Sequence, residues 1–432
     1  MALLSRSSAF SRITALAEQR PLHEAFRWLH LHSQQLLRWQ AELVAIPAPP
    51  FGEALRSQWM ATQFREAGLD PVHVDSLGNV FGELPGTEST SAQTGPVVLL
   101  SAHLDTVFPA DTPINPLIEG DLLQAPGACD NAAGVIGVLG IAHALVQSQM
   151  QLGATLVFVG NVGEEGEGDL RGVREIYQHS RYAGRVAAHI VLDGAGAETA
   201  VTQALGSKRF QVTIKGPGGH SFTDSGIVNP IPALGLALAN LSLTSVPDDP
   251  RTTLNVGTIQ GGTSVNTIPE IVTAAIDFRS TDIRELVRLE VALYRAVEDS
   301  VELTNSRAIK GMKRGGSKVR NQLSYSIETI GNRPAAELPS DSPILETLRA
   351  VDRHLGLRTD PRLGSTDANI PLALGVPAVS LGAGGDGGGA HTRAEWYSAT
   401  NRELGLKRIL LLTLAMLEWA GKPDGSQLLK GR

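Results

Sequence analysis

Short apolar runs that end in polar residues dominate the first half of the chain. Segments of this length, rich in Val and Leu, are typical of buried strands in a mostly parallel sheet. The apolar stretch at 131–149 predicts a buried helix between two of them, despite its glycines. Ligands of open α/β sheets bind beyond the carboxyl ends of the strands, so we expect the polar ends of these runs to meet at one edge. The three runs are 96–107 (PVVLLSAHLDTV), 154–166 (ATLVFVGNVGEEG) and 186–196 (VAAHIVLDGAG).

The middle of the chain has a different pattern, in which apolar and polar positions alternate. Strands with two helices among them predict a small α+β layer with helices on one face of its sheet. The first pattern returns after residue 331 and ends in an apolar helix at 403–420. We therefore predict an α/β catalytic domain, residues 1–205 and 332–432, interrupted by a smaller α+β domain at 206–331. The alternating segments are 208–216, 251–262, 270–280 and a strand near 319–330, and the helical ones are 229–243 and 282–299.

Composition and charge exclude several classes of protein. The 432 residues are 42% hydrophobic and 19% charged, with a net charge of −7, which does not suit a nucleic-acid-binding surface. Cys129 is the only cysteine, so intrachain disulfides and zinc sites of several thiolates are excluded. The N-terminus lacks the apolar region of a secretory signal, and no segment approaches the ~20 apolar residues of a membrane span. We predict an ordinary N-terminal helix, with a targeting segment as the alternative, and a cytoplasmic protein with neither a nucleic-acid nor a membrane partner.

Five segments carry candidate metal ligands. Taken singly, each has a simpler explanation, such as a surface histidine, a helix cap for Asp130 or a solvated acidic loop. Taken together, they place two histidines and several carboxylates at successive strand ends, which is the ligand inventory of a two-metal site. The segments are SAHLDTVF with His103 and Asp105, GACDNAAG with Asp130, NVGEEGEGD with Glu164 and Glu165, HIVLDGAG with Asp193, and GAHTRAEW with His391.

Two other hydrolase classes lack their motifs. The sequence has no HExxH helix, which excludes a mononuclear zinc protease of that type. It also has no G-x-S-x-G elbow, so a serine hydrolase is unsupported.

These segments together resemble the co-catalytic zinc metallopeptidase family of glutamate carboxypeptidase, acetylornithine deacetylase and peptidase T (metallopeptidase family twenty). The motifs HLD, DN, EEG, LDG, GPGGHS and AHT occur in that order, and the resemblance extends over about 41–419. GPGGHS with the downstream NPI is most similar to peptidase-T-like members.

The resemblance implies a role for each ligand. Asp130 would bridge two divalent ions, Zn²⁺ by expectation with Co²⁺ or Mn²⁺ as alternatives, and would precede a cis peptide bond to Asn131. His103 and Asp193 would complete one site, and Glu165 and His391 the other. Glu164 would be the general base, and Asp105 would orient His103.

The same resemblance makes the inserted domain a lid through which two chains dimerise. His220 of GPGGHS would reach the partner's active site and stabilise the oxyanion. Asn266 and Arg279 would contact substrate, although a salt bridge within a strand is the alternative for Arg279. Arg333 and Thr366, the latter within GSTD at 364–367, would belong to the substrate pocket.

The predicted reaction is hydrolysis of an amide bond in a short peptide. Family members that cleave ureido substrates tend to carry His where Asp193 stands, so Asp193 favours the peptidase and N-deacylase branches. An N-acyl amino acid deacylase therefore stays open as an alternative. A binding protein that keeps the fold without the chemistry is the third possibility.

Overall fold

The computed structural model describes residues 2–86, 94–311, 313–314, 317–318 and 320–422. The chain divides into two compact units, the larger being Met1–Ala204 with Glu337–Arg432 and the smaller Leu205–Ala336. The helices are α1 (Ala2–Ala17), α2 (Arg20–Leu31), α3 (Ser33–Val44), α4 (Ala54–Ala67), α5 (Ala132–Ser148), α6 (Arg171–Gln178), α7 (Pro230–Ser242), α8 (Ile283–Ser306), α9 (Pro343–Leu355), α10 (Asn369–Ala373) and α11 (Arg402–Ala420).

The strands are β1 (Val72–Val74), β2 (Val80–Leu84), β3 (Val97–His103), β4 (Leu117–Glu119), β5 (Leu122–Gln124), β6 (Thr155–Asn161), β7 (Val186–Leu192), β8 (Thr199–Ala204), β9 (Gly206–Lys215), β10 (Gly219–His220), β11 (Thr252–Gly261), β12 (Thr267–Ile268), β13 (Ile271–Ser280), β14 (Lys313–Arg314), β15 (Ser317–Lys318), β16 (Ser324–Arg333), β17 (Ala336–Glu337), β18 (Asp360–Gly364), β19 (Ala378–Leu381), β20 (Asp386–Gly388) and β21 (Trp396–Ser398).

The larger unit is built on a sheet with the strand order β1-β2-β6-β3-β7-β19-β8-β17, with β18 beside β8. Its centre is parallel, because β3 pairs in parallel with β6 and β7, and β7 with β19. Every residue of β3, β6 and β7 is buried, as expected for the apolar runs that form them. The predicted α/β class with a mostly parallel central sheet is confirmed.

Helix α5 packs closely behind the strand ends, and its glycines permit this. A Cβ atom at Gly134 would lie 2.6 Å from the carbonyl oxygen of Leu192, the last residue of β7. The N-terminus of α5 can therefore approach the end of that strand. Helix α5 is buried along most of its length, which accounts for its apolar character on all sides.

The smaller unit has an antiparallel sheet in the order β11-β13-β9-β16. Alternate residues such as Phe210 and Phe278 point into a core that helices α7 and α8 complete. The predicted strand near 319–330 differs in position: it is Ser324–Arg333, and Val319 lies outside the described residues. Because this strand continues through Arg333, the unit ends at Ala336, five residues beyond the predicted boundary of 331.

The N-terminal segment forms three helices that pack on the larger unit. Helix α1 contacts α9 and α11, and α2 contacts α5. Among the described residues, no helix combines the length and the apolar composition needed to cross a bilayer.

Candidate metal centre

The candidate ligands lie at one edge of the central sheet. His103 is the last residue of β3, Glu164 and Glu165 follow β6, and Asp193 directly follows β7. These three strands are parallel neighbours, so their carboxyl ends meet, as the sequence pattern predicted. Asp130 joins them because it precedes α5, and the Asp130–Asn131 bond is cis, as the resemblance implied.

Two groups of ligand atoms share Asp130. The groups are His103, Asp130 and Asp193, and Asp130, Glu165 and His391, each with its ligand atoms within 4.8 Å of one another. Asp130 Oδ1 lies 3.2 Å from His103 Nε2, and Oδ2 lies 3.0 Å from His391 Nε2. A carboxylate whose two oxygens face different imidazoles is arranged to bridge two cations.

Asp105 organises the turn that carries the two glutamates. It is fully buried, and its two carboxylate oxygens accept hydrogen bonds from the backbone N–H groups of Glu164 (3.0 Å) and Glu165 (2.8 Å). His103 Nδ1 lies 3.6 Å from Asp105 Oδ1 and 3.1 Å from the Asp105 carbonyl oxygen. Asp105 thus contacts both the imidazole and the glutamate turn.

The ionisable groups of the cluster perturb one another strongly. Burial lowers the pKa of His103, but contacts with Asp105, Asp130 and Asp193 outweigh it and hold that pKa well above its usual value. A hydrogen bond to Asp130 raises the pKa of His391 to about 9. Burial and the neighbouring charge of Asp130 raise the pKa of Glu165 to about 7. Carboxylates pressed together in this way favour a bound cation, which removes the repulsion between them.

The donor set fits divalent metal ions. Asp130 Oδ1 is buried, and the 3.2 Å approach of His103 Nε2 does not have the geometry of a hydrogen bond. Such an oxygen costs free energy unless a proton or a cation satisfies it. Imidazole nitrogens together with carboxylate oxygens suit zinc and related ions. The residues present therefore fit divalent metal ions, and the identity of the ion stays a prediction.

A comparison with protein families decides the class. The sequence model of the peptidase family M20/M25/M40 matches residues 99–415 of this chain. The chain belongs to this family. Its predicted class, a metal-dependent peptidase or amidohydrolase, is thereby confirmed.

Known proteins are similar to this M20-family chain over most of its length. An uncharacterised Bacillus subtilis protein, YqjE, is 22% identical over 370 residues, covering 82% of this chain and 91% of its own length. A tripeptidase from Staphylococcus aureus has the same fold, with a TM-score of 0.69, 22% identity and coverage of 90% of this chain and 99% of its own. A dinuclear metal-binding M20 peptidase from Bacillus subtilis gives a TM-score of 0.62 at 18% identity, covering 90% of this chain and 99% of its own.

Within the smaller unit, the structure brings His220 and Asn266 together. Strands β10 and β12 form a short ribbon in which His220 pairs with Thr267, and the carbonyl of Asn266 accepts from the N–H of Ser221. His220 is exposed, and its Nδ1 accepts hydrogen bonds from the backbone N–H groups of Phe222 (3.2 Å) and Thr223 (3.3 Å). Backbone amides can only donate, so the proton of the neutral ring lies on Nε2.

Two predicted substrate residues of the smaller unit share one sheet face. Arg279 on β13 and Arg333 on β16 both pair with Ser207 on β9, so all three point to the same side. Arg279 Nε donates to Asp277 at 2.8 Å, which is the salt bridge named as the alternative. Arg333 is buried, and its role in substrate binding stays a prediction, as does that of Arg279.

Thr366, in the larger unit, lies just before the short helix α10. It is buried, its N–H donates to Asn369 Oδ1, and its hydroxyl accepts from the N–H of Ala368. These are local turn contacts between Thr366 and the residues that follow it. They neither support nor oppose the predicted place in a substrate pocket.

The sequence did not predict the supporting hydrogen bonds that two residues make around the ligand cluster. The side chain of Asn131 joins two ligand loops, because it donates to the Leu192 carbonyl and accepts from the N–H of Gly194, beside Asp193. Glu395 is buried and accepts three backbone hydrogen bonds from the turn that carries Asp130. The signal for Glu395 was an acid four residues after His391, directly before strand β21.

Proposed function

We propose that this chain is a two-metal hydrolase that cleaves an amide bond in short peptides. The observation that carries the proposal is the pair of ligand groups that share Asp130. His103 and Asp193 would complete one ion site, and Glu165 and His391 the other. The expected ions are Zn²⁺, with Co²⁺ and Mn²⁺ as alternatives.

Bound divalent ions supply a Lewis acid for the scissile carbonyl and lower the pKa of water from ~15.7 towards ~7. The side chains of this chain handle the proton. The Glu164 carboxylate accepts the proton of the attacking water and then delivers it to the nitrogen of the leaving amine. Glu164 is buried at the ion cluster, and Asp105 fixes its backbone. This arrangement keeps the base beside the scissile bond.

The smaller unit completes the proposal by resemblance to the family. Two chains pair through it as a homodimer, and His220 of one chain donates from Nε2 to the oxyanion in the other. The hydrogen bonds at Nδ1 support this, because they leave the ring proton on Nε2. Arg279 and Arg333, on one sheet face, supply positive charge for the substrate carboxylate. A cytoplasmic location agrees with the composition.

The proposal is tested with purified chain reconstituted with zinc, cobalt or manganese and then desalted. We expect about two ions per chain by elemental analysis, from the ligand count. A substrate panel should contain tripeptides, dipeptides and N-acetyl amino acids. Turnover of peptides supports the proposal, turnover of the N-acetyl compounds alone assigns the deacylase alternative, and metal binding without any turnover favours the binding protein.

The shared active site is tested by mixing two inactive variants, His220→Ala and Glu164→Gln, under conditions in which subunits exchange. A heterodimer would hold one site with both defects and one site with neither. Activity should recover to about a quarter of wild type, because half of the dimers are mixed and half of their sites are intact. Exchange without recovery would show that His220 acts within its own chain or not at all.

A further inference from the structure

The turn that presents Asp130 is held by a side chain outside the ligand set. Glu395 Oε1 accepts hydrogen bonds from the N–H groups of Cys129 (2.8 Å) and Asp130 (2.7 Å), and Oε2 accepts from Gly127 (2.8 Å). A carboxylate with three such bonds fixes the path of a turn, since hydrogen bonds to charged acceptors are among the stronger ones in proteins.

Glu395 is itself anchored. Its N–H donates to the Thr392 carbonyl, and its own carbonyl accepts from Ala125, which continues the pairing of β21 with β5. Glu395 therefore links the loop that carries His391 to the turn that carries Asp130.

Two buried side chains act on the same region. Gln40 of α3 donates to the Ala128 carbonyl at 2.6 Å, so the turn is bonded from a second side. The guanidinium of Arg56 is 1% exposed, donates to the Ile46 and Leu104 carbonyls, and interacts electrostatically with Glu395. Arg56 therefore brings positive charge near Glu395 as well as near Asp105.

We propose that Glu395 is a positioning residue of the metal centre: it sets the place of Asp130 and, through it, the affinity for both ions. The inference rests on the proposed two-metal function. Asp130 belongs to both ligand groups, so a shift of its turn alters both sites. Loss of His391, which belongs to one group, should weaken one ion only.

The decisive variant is Glu395→Gln. Its amide oxygen can still accept from Cys129 and Asp130, but its NH₂ group would face the N–H of Gly127, where two donors meet. The change is nearly isosteric and should preserve the fold. Partners that orient metal ligands typically change metal affinity by about 10- to 100-fold, and we expect a loss in that range for both ions.

Asp352→Asn is the matched control. Asp352 is also a buried carboxylate (2% exposed), and it pairs with Arg408 away from the ligand groups. The Asp352→Asn substitution should lower the stability of the fold without altering the affinity for metal. Zinc affinities of wild type, Glu395→Gln, Asp352→Asn and His391→Ala are measured by competition with a chelator, at a temperature where circular dichroism shows each variant folded.

Weaker binding of both ions in Glu395→Gln, with Asp352→Asn unchanged, supports the proposal. Wild-type affinity in Glu395→Gln overturns it, even if that variant is less thermostable. Loss of only the ion that His391→Ala also loses overturns it too, because the effect would then pass through the His391 loop. A wild-type chain that binds no metal would overturn the two-metal function itself, a result distinguishable from the others.

Discussion

The two halves of the metal centre differ in how they are built. The buried half contains His103 at the end of strand β3, with a side chain 1% exposed, and Asp105 beneath it. The open half contains His391, with a side chain 54% exposed, in a loop after several glycines. His391 has a φ of 64°, so the loop backbone is left-handed at the ligand itself.

This difference separates two tasks of the proposed metal centre. Strand ends inside a close-packed sheet hold ligands rigidly, whereas a loop leaves room for a substrate to enter. We therefore infer that the buried half keeps its geometry without metal, while the open half admits substrate. Glu164 and Glu165 lie on a turn between the two halves, which the buried half holds through Asp105.

The largest expected effect is the loss of catalytic rate in a variant of Glu164, which lies where the two halves meet. Glu164→Gln should keep both ions and the fold, because the proposed base is not a ligand. Its kcat should fall by about 10²–10⁴-fold, the usual contribution of general base catalysis. Steady-state kinetics with elemental analysis of the same sample measures both quantities.

Glu165→Gln is the matched control, one residue along the same turn. Because Glu165 is a proposed metal ligand, Glu165→Gln should lose metal. If Glu164→Gln loses metal while Glu165→Gln retains it, the two roles are exchanged.

The second prediction compares the histidines of the two halves in chelator-treated protein. His103→Ala leaves Asp105 buried without its imidazole, and breaking a buried ion pair typically costs about 3–5 kcal/mol. His391→Ala removes a half-exposed imidazole from Asp130 and Glu165, which are mostly buried, and the loss should be smaller, about 1–3 kcal/mol. Urea unfolding of both variants at pH 7 measures the difference. Equal destabilisation would mean that the open half is as rigid as the buried one.

The same contrast explains how much the sequence could predict. His103 and Asp193 of the buried half follow apolar runs, so the periodicity that predicts strands also places them at one edge, together with Glu165 on the turn between the halves. No periodicity predicts the open half. His391 was recognised through the AHT motif, and Glu395 was missed because its three partners are backbone amides far away in sequence.

In the smaller unit, prediction from the sequence is limited for a similar reason. The alternating pattern predicted β9 and β13, because each has one buried and one more exposed face. It did not predict that Arg279 and Arg333 share a row with Ser207, since strand register depends on pairing across the sheet.

The smallest predicted effect is on the pH dependence of folding stability, and it involves His189, which lies in the sheet beneath the buried half. His189 on β7 is fully buried, and its ring nitrogens contact Ser101 Oγ on β3 (2.8 Å) and Tyr177 OH (3.1 Å). Burial lowers the pKa of His189 to about 3. In the unfolded chain the ordinary value is ~6.5, so below that pH the unfolded state binds a proton that the folded state does not.

The stability contributed at this site should therefore fall as the pH drops from about 6.5 towards 3, by about 2 kcal/mol between pH 7 and pH 5. His189→Gln keeps a polar side chain and removes the titration. Its unfolding free energy, measured by urea titration in chelator, should decline less steeply over that interval than that of wild type. The difference between the two slopes isolates His189, because the metal ligands titrate in both proteins. Identical slopes would mean that His189 can take up a proton in the folded state, and that the sheet beneath the buried half is less rigid than its burial indicates.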